Sequence, residues 1–213
     1  CFLHAAVRGQ LAGDTANLGR LHRHLHVSLL DRDGRNLFAS TADAPADALR
    51  HAIGGLQASA RDNLLLFAPH ANSYRRFVAN AFVPLNQSWG FNNRTVAMRV
   101  PHSDAANTRV EHRIAGADAN PYLVAAAVLA GILDGIEQQL DSGPPVTGNA
   151  YEQFPVQTPH WREAIDDFLG SDFAARWYGE PFRHIYGQQK RREMADFQAL
   201  VRNVLSAEFP EAK

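Results

Sequence analysis

From residue 24 onward the chain alternates apolar and polar positions with the period of a strand. In His24-Leu25-His26-Val27-Ser28-Leu29, the side chains of His24, His26 and Ser28 share one face and the three aliphatic residues share the other. Residues 95–100 repeat the pattern, with Val96, Met98 and Val100 set against Thr95, Ala97 and Arg99. Residues 109–114 repeat it again, with Val110, His112 and Ile114 set against Arg109, Glu111 and Arg113. The linker 101–107 is polar and short enough for an antiparallel return, which would bring Arg99 to the same side as Arg109, Glu111 and Arg113. Elsewhere the period lengthens to that of a helix. Leu49, Ile53 and Leu56 mark a helix over 47–61, and residues 64–67 read as its buried continuation. Asn120 as cap and Pro121 at the first helical position open a helix over 121–140 that is apolar nearly all round, hence central to the core. Amphipathic helices follow over 160–168 and 181–207. Residues 69–89 and 144–160 lack a period and read as loops, the first of them functional. The expected class is α/β (α+β): one curved antiparallel sheet backed by helices, with His24, His26, Ser28, Arg99, Arg109, Glu111 and Arg113 on its concave face.

Composition narrows the function without choosing it. A chain of 213 residues can bury one sizeable core. A net charge of -1 gives no footprint for nucleic acid or an anionic membrane. The longest apolar run, residues 122–133, is too short to span a bilayer, so it reads as a buried helix. A single cysteine, Cys1, excludes an internal disulfide framework and fits a reducing, cytoplasmic compartment. The chain opens on Cys rather than Met, and residues 1–23, rich in Ala, Gly, Arg and His, read as an irregular leader, truncated or out of frame. Residues 24–213 then make up the ordered domain.

The charged row at 109–113 has two readings. Two guanidinium groups bracketing one carboxylate suit a metal held by the carboxylate, with the arginine forks gripping phosphate or carboxylate oxygens. The same row can be a solvated strand face with a cross-strand ion pair. Imidazoles at i and i+2 on the 24–28 strand can present metal or phosphate ligands together but are common on exposed strands; it is the repetition of one apolar and one functional face on three strands that points to a single site.

The loops carry a resemblance. Asn72-Ser73-Tyr74-Arg75-Arg76-Phe77, Ser88-Trp89-Gly90-Phe91-Asn92-Asn93-Arg94, Met98-Arg99-Val100-Pro101, the 109–113 row and Gly116-Ala117-Asp118-Ala119-Asn120-Pro121-Tyr122 follow one another in the order and near-spacing of the glutamine synthetase superfamily. The stretch 24–28 resembles that superfamily's preceding strand. The likeness runs from 24 to about 205 and is most specific between 72 and 136. It resembles most the γ-glutamylpolyamine synthetase branch, glutamate–putrescine ligase and its relatives, in the run at 89–97 and in Gly116–Tyr122, where glutamine synthetases proper have an Asp-Pro-led version. The resemblance implies the C-terminal part of a glutamine synthetase-like catalytic domain within a ring-shaped homo-oligomer. ATP would phosphorylate the γ-carboxylate of glutamate, and a primary amine such as putrescine, or ammonia, would displace the phosphate. It implies His24 and Glu111 as ligands of Mg²⁺ or Mn²⁺, and His26, Ser28, Arg94, Arg99 and Arg109 as ATP contacts. It further implies Arg76 on the glutamate carboxylate, with Arg94 and Arg113 at the transferring phosphoryl group and the substrate.

The departures are informative too. By the same resemblance, the acidic metal ligands of the family's upstream half are not among residues 1–23, and the Gly-rich turn before the first strand reads Gly19-Arg20-Leu21-His22-Arg23. Counting from Arg76, the flap position that is Glu in glutamine synthetases is Phe82, with Asn80 at the family's Gly position. An aromatic ring cannot act as base, but it can pack an alkyl chain or face a distal ammonium, and Trp89 would complete an apolar wall. Phe82 can also be an ordinary packed loop aromatic. A true glutamine synthetase and a non-catalytic remnant are the alternative readings.

Overall fold

The computed structural model describes residues 4–12, 22–40, 44–78, 83–84, 86–155 and 158–208. Five strands form one sheet: β1 (His4–Ala12), β2 (His22–Leu30), β3 (Trp89–Phe91), β4 (Met98–Val100) and β5 (Val110–His112), in the order β1-β2-β5-β4-β3. The register follows the alternation. Leu25 and Met98 lie opposite His112, while His26 and Arg99 lie opposite Glu111, so one face is apolar and the other carries the charges. Leu25, Val27, Leu29, Met98 and Val110 are buried in the core.

Two features of the sheet differ from the expectation. His4–Ala12 is not irregular: it pairs antiparallel with β2 along its whole length, His4 opposite Leu30 and Ala12 opposite His22. The sequence does alternate there, Ala5, Val7, Gly9 and Leu11 against His4, Ala6, Arg8 and Gln10, but small residues and a glycine make the period faint. The β3–β4 pair is parallel, in a sheet otherwise antiparallel. The short connection that allows this passes through Asn92 at φ 49 and is pinned by Asn93. The Asn93 amide donates to Val146 O and Gly148 O, and its oxygen accepts from the Thr95 N–H and hydroxyl.

Seven α-helices are found among the described residues: α1 (Asp47–Ala58), α2 (Leu64–Phe67), α3 (Pro121–Gln138), α4 (Ala150–Gln153), α5 (Trp161–Gly170), α6 (Asp172–Tyr178) and α7 (Glu180–Glu208). Asn120 caps α3 as expected, its side-chain oxygen accepting from Tyr122 N at 2.9 Å, and Gln139 closes it in the left-handed region at φ 53. By length and composition alone α3 could cross a membrane. Here Val124, Ala127, Val128 and Ile132 are buried in the protein core, as the all-round apolar pattern predicts. Helix α6 went unforeseen. It has one buried residue, Ala174, and is held by its caps, with Ser171 Oγ accepting from Ala174 N and Gly179 ending it at φ 86. Arg176 and Trp177 then tie it to the buried Asp134 of α3.

Helices α1 and α3 meet backbone to backbone. A Cβ placed on Gly55 would stand 2.0 Å from the Gly131 carbonyl oxygen and 2.6 Å from the Gly135 Cα. No side chain fits that gap, and backbone cannot rotate away. Gly55→Ala is therefore expected to lower stability by about 3 kcal/mol, an overpacking penalty at the upper end of its range. Gly170→Ala, with open space around the new methyl, should change it by less than about 0.5 kcal/mol. Equal denaturation midpoints for the two variants would refute the close-contact reading.

Candidate active site

The pairing of β2, β5 and β4 gathers the charged face around one carboxylate. Glu111 is 2% exposed. Its Oε1 lies 2.9 Å from His24 Nδ1 and 3.0 Å from Arg113 Nη1, and its Oε2 lies 2.7 Å from Arg99 Nε. Burial pushes this carboxyl up, but the hydrogen bond from His24 and the fields of Arg113 and Arg99 outweigh it and hold it at about 2. Next along the face, Arg109 Nε donates to His26 Nδ1 at 3.3 Å and Ser28 Oγ donates to Thr108 O at 3.0 Å. His24, His26, Ser28, Arg99, Arg109, Glu111 and Arg113 thus share one side of the sheet, as the alternation requires.

The loops add to this face unevenly. Arg94 reaches it through its backbone: its carbonyl accepts from Arg113 Nη2 at 3.0 Å, while the residue itself is exposed. Arg76 ends the short helical turn Ala71–Arg76 and is buried. Its Nη2 donates to Phe67 O at 3.3 Å and its guanidinium carbon lies 4.4 Å from the Phe77 ring centroid. Phe82 and Asn80 lie outside the described residues. Trp89 does not form a substrate wall. It is 1% exposed in the core, with Nε1 donating to Ser142 O and Gly143 O, because its place in β3 opposite Met98 turns the indole inward.

Sequence reasoning missed His22, which continues the His24, His26, Ser28 row one step back on β2. It is buried, bridged through its backbone to Gly116, and has no partner for Nδ1. Burial, then the fields of Arg76, His24 and Arg113, hold its pKa down at about 4. His112 points inward, as the alternation predicts, and is buried. Its ring lies 4.5 Å from that of Phe67, and burial first, then His24 and Arg76, lowers its pKa to about 3.

A divalent ion fits this face only as a shared guest. Among the described residues no three His, Cys, Asp or Glu side chains gather as a metal site. His24 Nε2 is nevertheless buried without a partner, and Glu111 Oε2 accepts no hydrogen bond, because the Arg99 contact is close but out of line. Both atoms are of types that can bind a metal, although it is His24 Nδ1, and not Nε2, that faces the carboxylate. Arg99 and Arg113 already balance the carboxylate, so a cation here needs anionic oxygens from a further ligand. Guanidinium groups in excess of carboxylate suit phosphate.

The family "Glutamine synthetase, catalytic domain" matches residues 19–208. Gamma-glutamylputrescine synthetase PuuA of Escherichia coli (strain K12) is 40% identical over 182 residues, which cover 84% of this chain and 38% of that protein. Gamma-glutamylethanolamide synthetase GlnA4 of Streptomyces coelicolor is 39% identical over 179 residues, with the same coverage of each. A solved structure described as a GmaS/ADP complex superposes with a TM-score of 0.76 at 28% identity, covering 90% of this chain and 46% of that one. The chain therefore spans about two fifths of the length of the curated relatives it matches.

Proposed function

We propose, on the premise that this chain belongs to the glutamine synthetase family through its catalytic domain, that it is the C-terminal part of an ATP-dependent glutamate–amine ligase. The terminal phosphoryl group of ATP would pass to a γ-carboxylate oxygen of glutamate, with ADP departing. The amine nitrogen would then attack the acyl carbon, the carbon–oxygen bond would break, phosphate would leave, and the nitrogen would give up a proton. The observation that carries this reading is the Glu111 cluster: one buried carboxylate gripped by His24, Arg99 and Arg113, with His26 and Arg109 beside it. Fixed cations in a water-poor site stabilise the charge on transferring phosphoryl oxygens without reorganising.

Each residue then has a task. Arg99 and Arg109 neutralise ATP phosphates, with His26 and Ser28 along the same nucleotide-facing row. Arg113 faces the transferring group, and Arg94 reaches the phosphates from the exposed loop. Arg76, buried with nitrogens to spare, takes a glutamate carboxylate. His24 and Glu111 would hold Mg²⁺ or Mn²⁺, which would supply positive charge against the developing phosphate charge. The complete enzyme would work in the cytoplasm as a ring-shaped homo-oligomer.

A primary amine such as putrescine is the proposed acceptor rather than ammonia. Two relatives are named for amine substrates, and Phe82 stands where the resemblance expects the ammonium-binding glutamate. An aromatic face gives a distal ammonium about 0.5–2 kcal/mol, a modest preference for a diamine. In the complete enzyme, phosphate release with glutamate and ATP should favour putrescine over ammonium, and Phe82→Glu should shift that ratio toward ammonium by about tenfold. Ammonium outcompeting putrescine in the unaltered enzyme would instead favour a glutamine synthetase. No release with either amine would favour a non-catalytic remnant.

A further inference from the structure

We propose that Asp118, fixed by Ser73, is the positioning residue for Arg76, holding that guanidinium open toward a substrate carboxylate. The proposal rests on the reading above that Arg76 binds glutamate. Arg76 is 3% exposed and makes one hydrogen bond, to Phe67 O, while its Nε and Nη1 are buried without partners. Among the described residues no carboxylate stands within ion-pair distance of it. A buried cation so placed is costly unless something negative lies nearby.

Asp118 supplies that charge without closing on the fork. Ser73 Oγ donates to Asp118 Oδ2 at 2.5 Å and accepts from His70 N at 3.0 Å, so the hydroxyl proton is committed to the carboxylate. Ser73 and Arg76 lie on the same turn, so the clamp and the arginine move as one body. Gly116 provides the passage between them. A Cβ there would stand 2.2 Å from Asp118 Oδ1 and 3.2 Å from Arg76 Nε, so the carboxylate folds over the bare α-carbon and faces the guanidinium across it. The Phe67 carbonyl closes the ring, accepting from both Gly116 N at 2.9 Å and Arg76 Nη2. Burial lowers the Arg76 pKa to about 10 against the opposing fields of Asp118 and Tyr74. A direct bidentate pair would have filled the fork, whereas a carboxylate held back by Ser73 leaves Nε and Nη1 for the ligand.

The test follows the Arg76 side-chain N–H resonance of the 213-residue chain, with L-glutamate as probe and an Arg76→Lys variant for assignment. Without ligand, Asp118→Asn and Gly116→Ala should both move and broaden that resonance and leave the Arg109 N–H signal in place. With glutamate, each should weaken affinity by about tenfold, the scale of one charge-assisted contact, and Asp118→Glu should recover part of it. An unliganded Arg76 signal unchanged by Asp118→Asn overturns the clamp, as does tighter glutamate binding, which would make Asp118 a competitor. If glutamate fails to move the Arg76 signal of the native chain, the substrate reading of Arg76 falls. The unliganded comparison still decides the clamp.

Discussion

Glu111→Gln is expected to lower the stability of the chain by about 3–5 kcal/mol, the scale for removing one partner of a buried ion cluster. The carboxylate is the shared counter-charge of His24, Arg99 and Arg113. Without it, two guanidinium groups face each other across a buried space, and the amide can satisfy neither as a charge. For a domain of this size the loss corresponds to a fall in melting temperature of about 10 °C. The double variant Glu111→Gln with Arg113→Met should regain part of that loss, because removing both charges is less costly than removing one. Nucleotide affinity should not return with it. A single variant that melts with the native chain would show that Glu111 is not the counter-charge of the face.

Acidification should destabilise the chain from higher pH than carboxylates alone would cause. His112 and His22 are held at about 3 and 4 in the folded chain, against 6.5 when unfolded. A depressed imidazole binds fewer protons folded than unfolded, so its contribution is complete above about pH 6.5 and is lost as pH falls toward its folded value. Glu111 acts in the same direction lower down, contributing above about 4.5 and losing that contribution as pH falls toward 2. Urea midpoints should therefore fall steadily from pH 7 to pH 4, with a loss of several kcal/mol in total. His112→Leu, placed against the Phe67 ring, should flatten the slope between pH 6.5 and 4. A native midpoint constant between pH 7 and 5 would contradict the burial of these imidazoles as neutral groups.

The sheet face was legible because it obeys a local rule. A period of two, read over residues 24–29 and 109–114, fixes which side chains share a side before any pairing is known, and the pairing then brings Arg99 in. The capped, apolar α3 was legible for the same reason, since Asn120 and Pro121 mark its start chemically. What escaped depended on contacts distant in sequence. Trp89 reads as a loop aromatic until the parallel β3–β4 pairing turns it into the core. Helix α6 is only seven residues long, so its apolar positions Phe173, Ala174, Trp177 and Tyr178 span too little chain to set a period, and it is tied to Asp134 of another helix. The Ser73–Asp118 bond joins residues 45 apart, and no motif spacing announces it. Strand β1 lay between these cases, with an alternation present but written in small residues.

If this face is built for nucleotide phosphate, it should take its ion together with the nucleotide. A calorimetric titration of the 213-residue chain with Mn²⁺, in the presence and absence of ATP, separates the alternatives. Two protein ligands beside two arginines should hold the ion only in about the millimolar range alone, and ATP should tighten it at least about tenfold, an increment that Arg99→Ala abolishes. Submicromolar Mn²⁺ binding without ATP, or an affinity that ATP leaves unchanged, would contradict it.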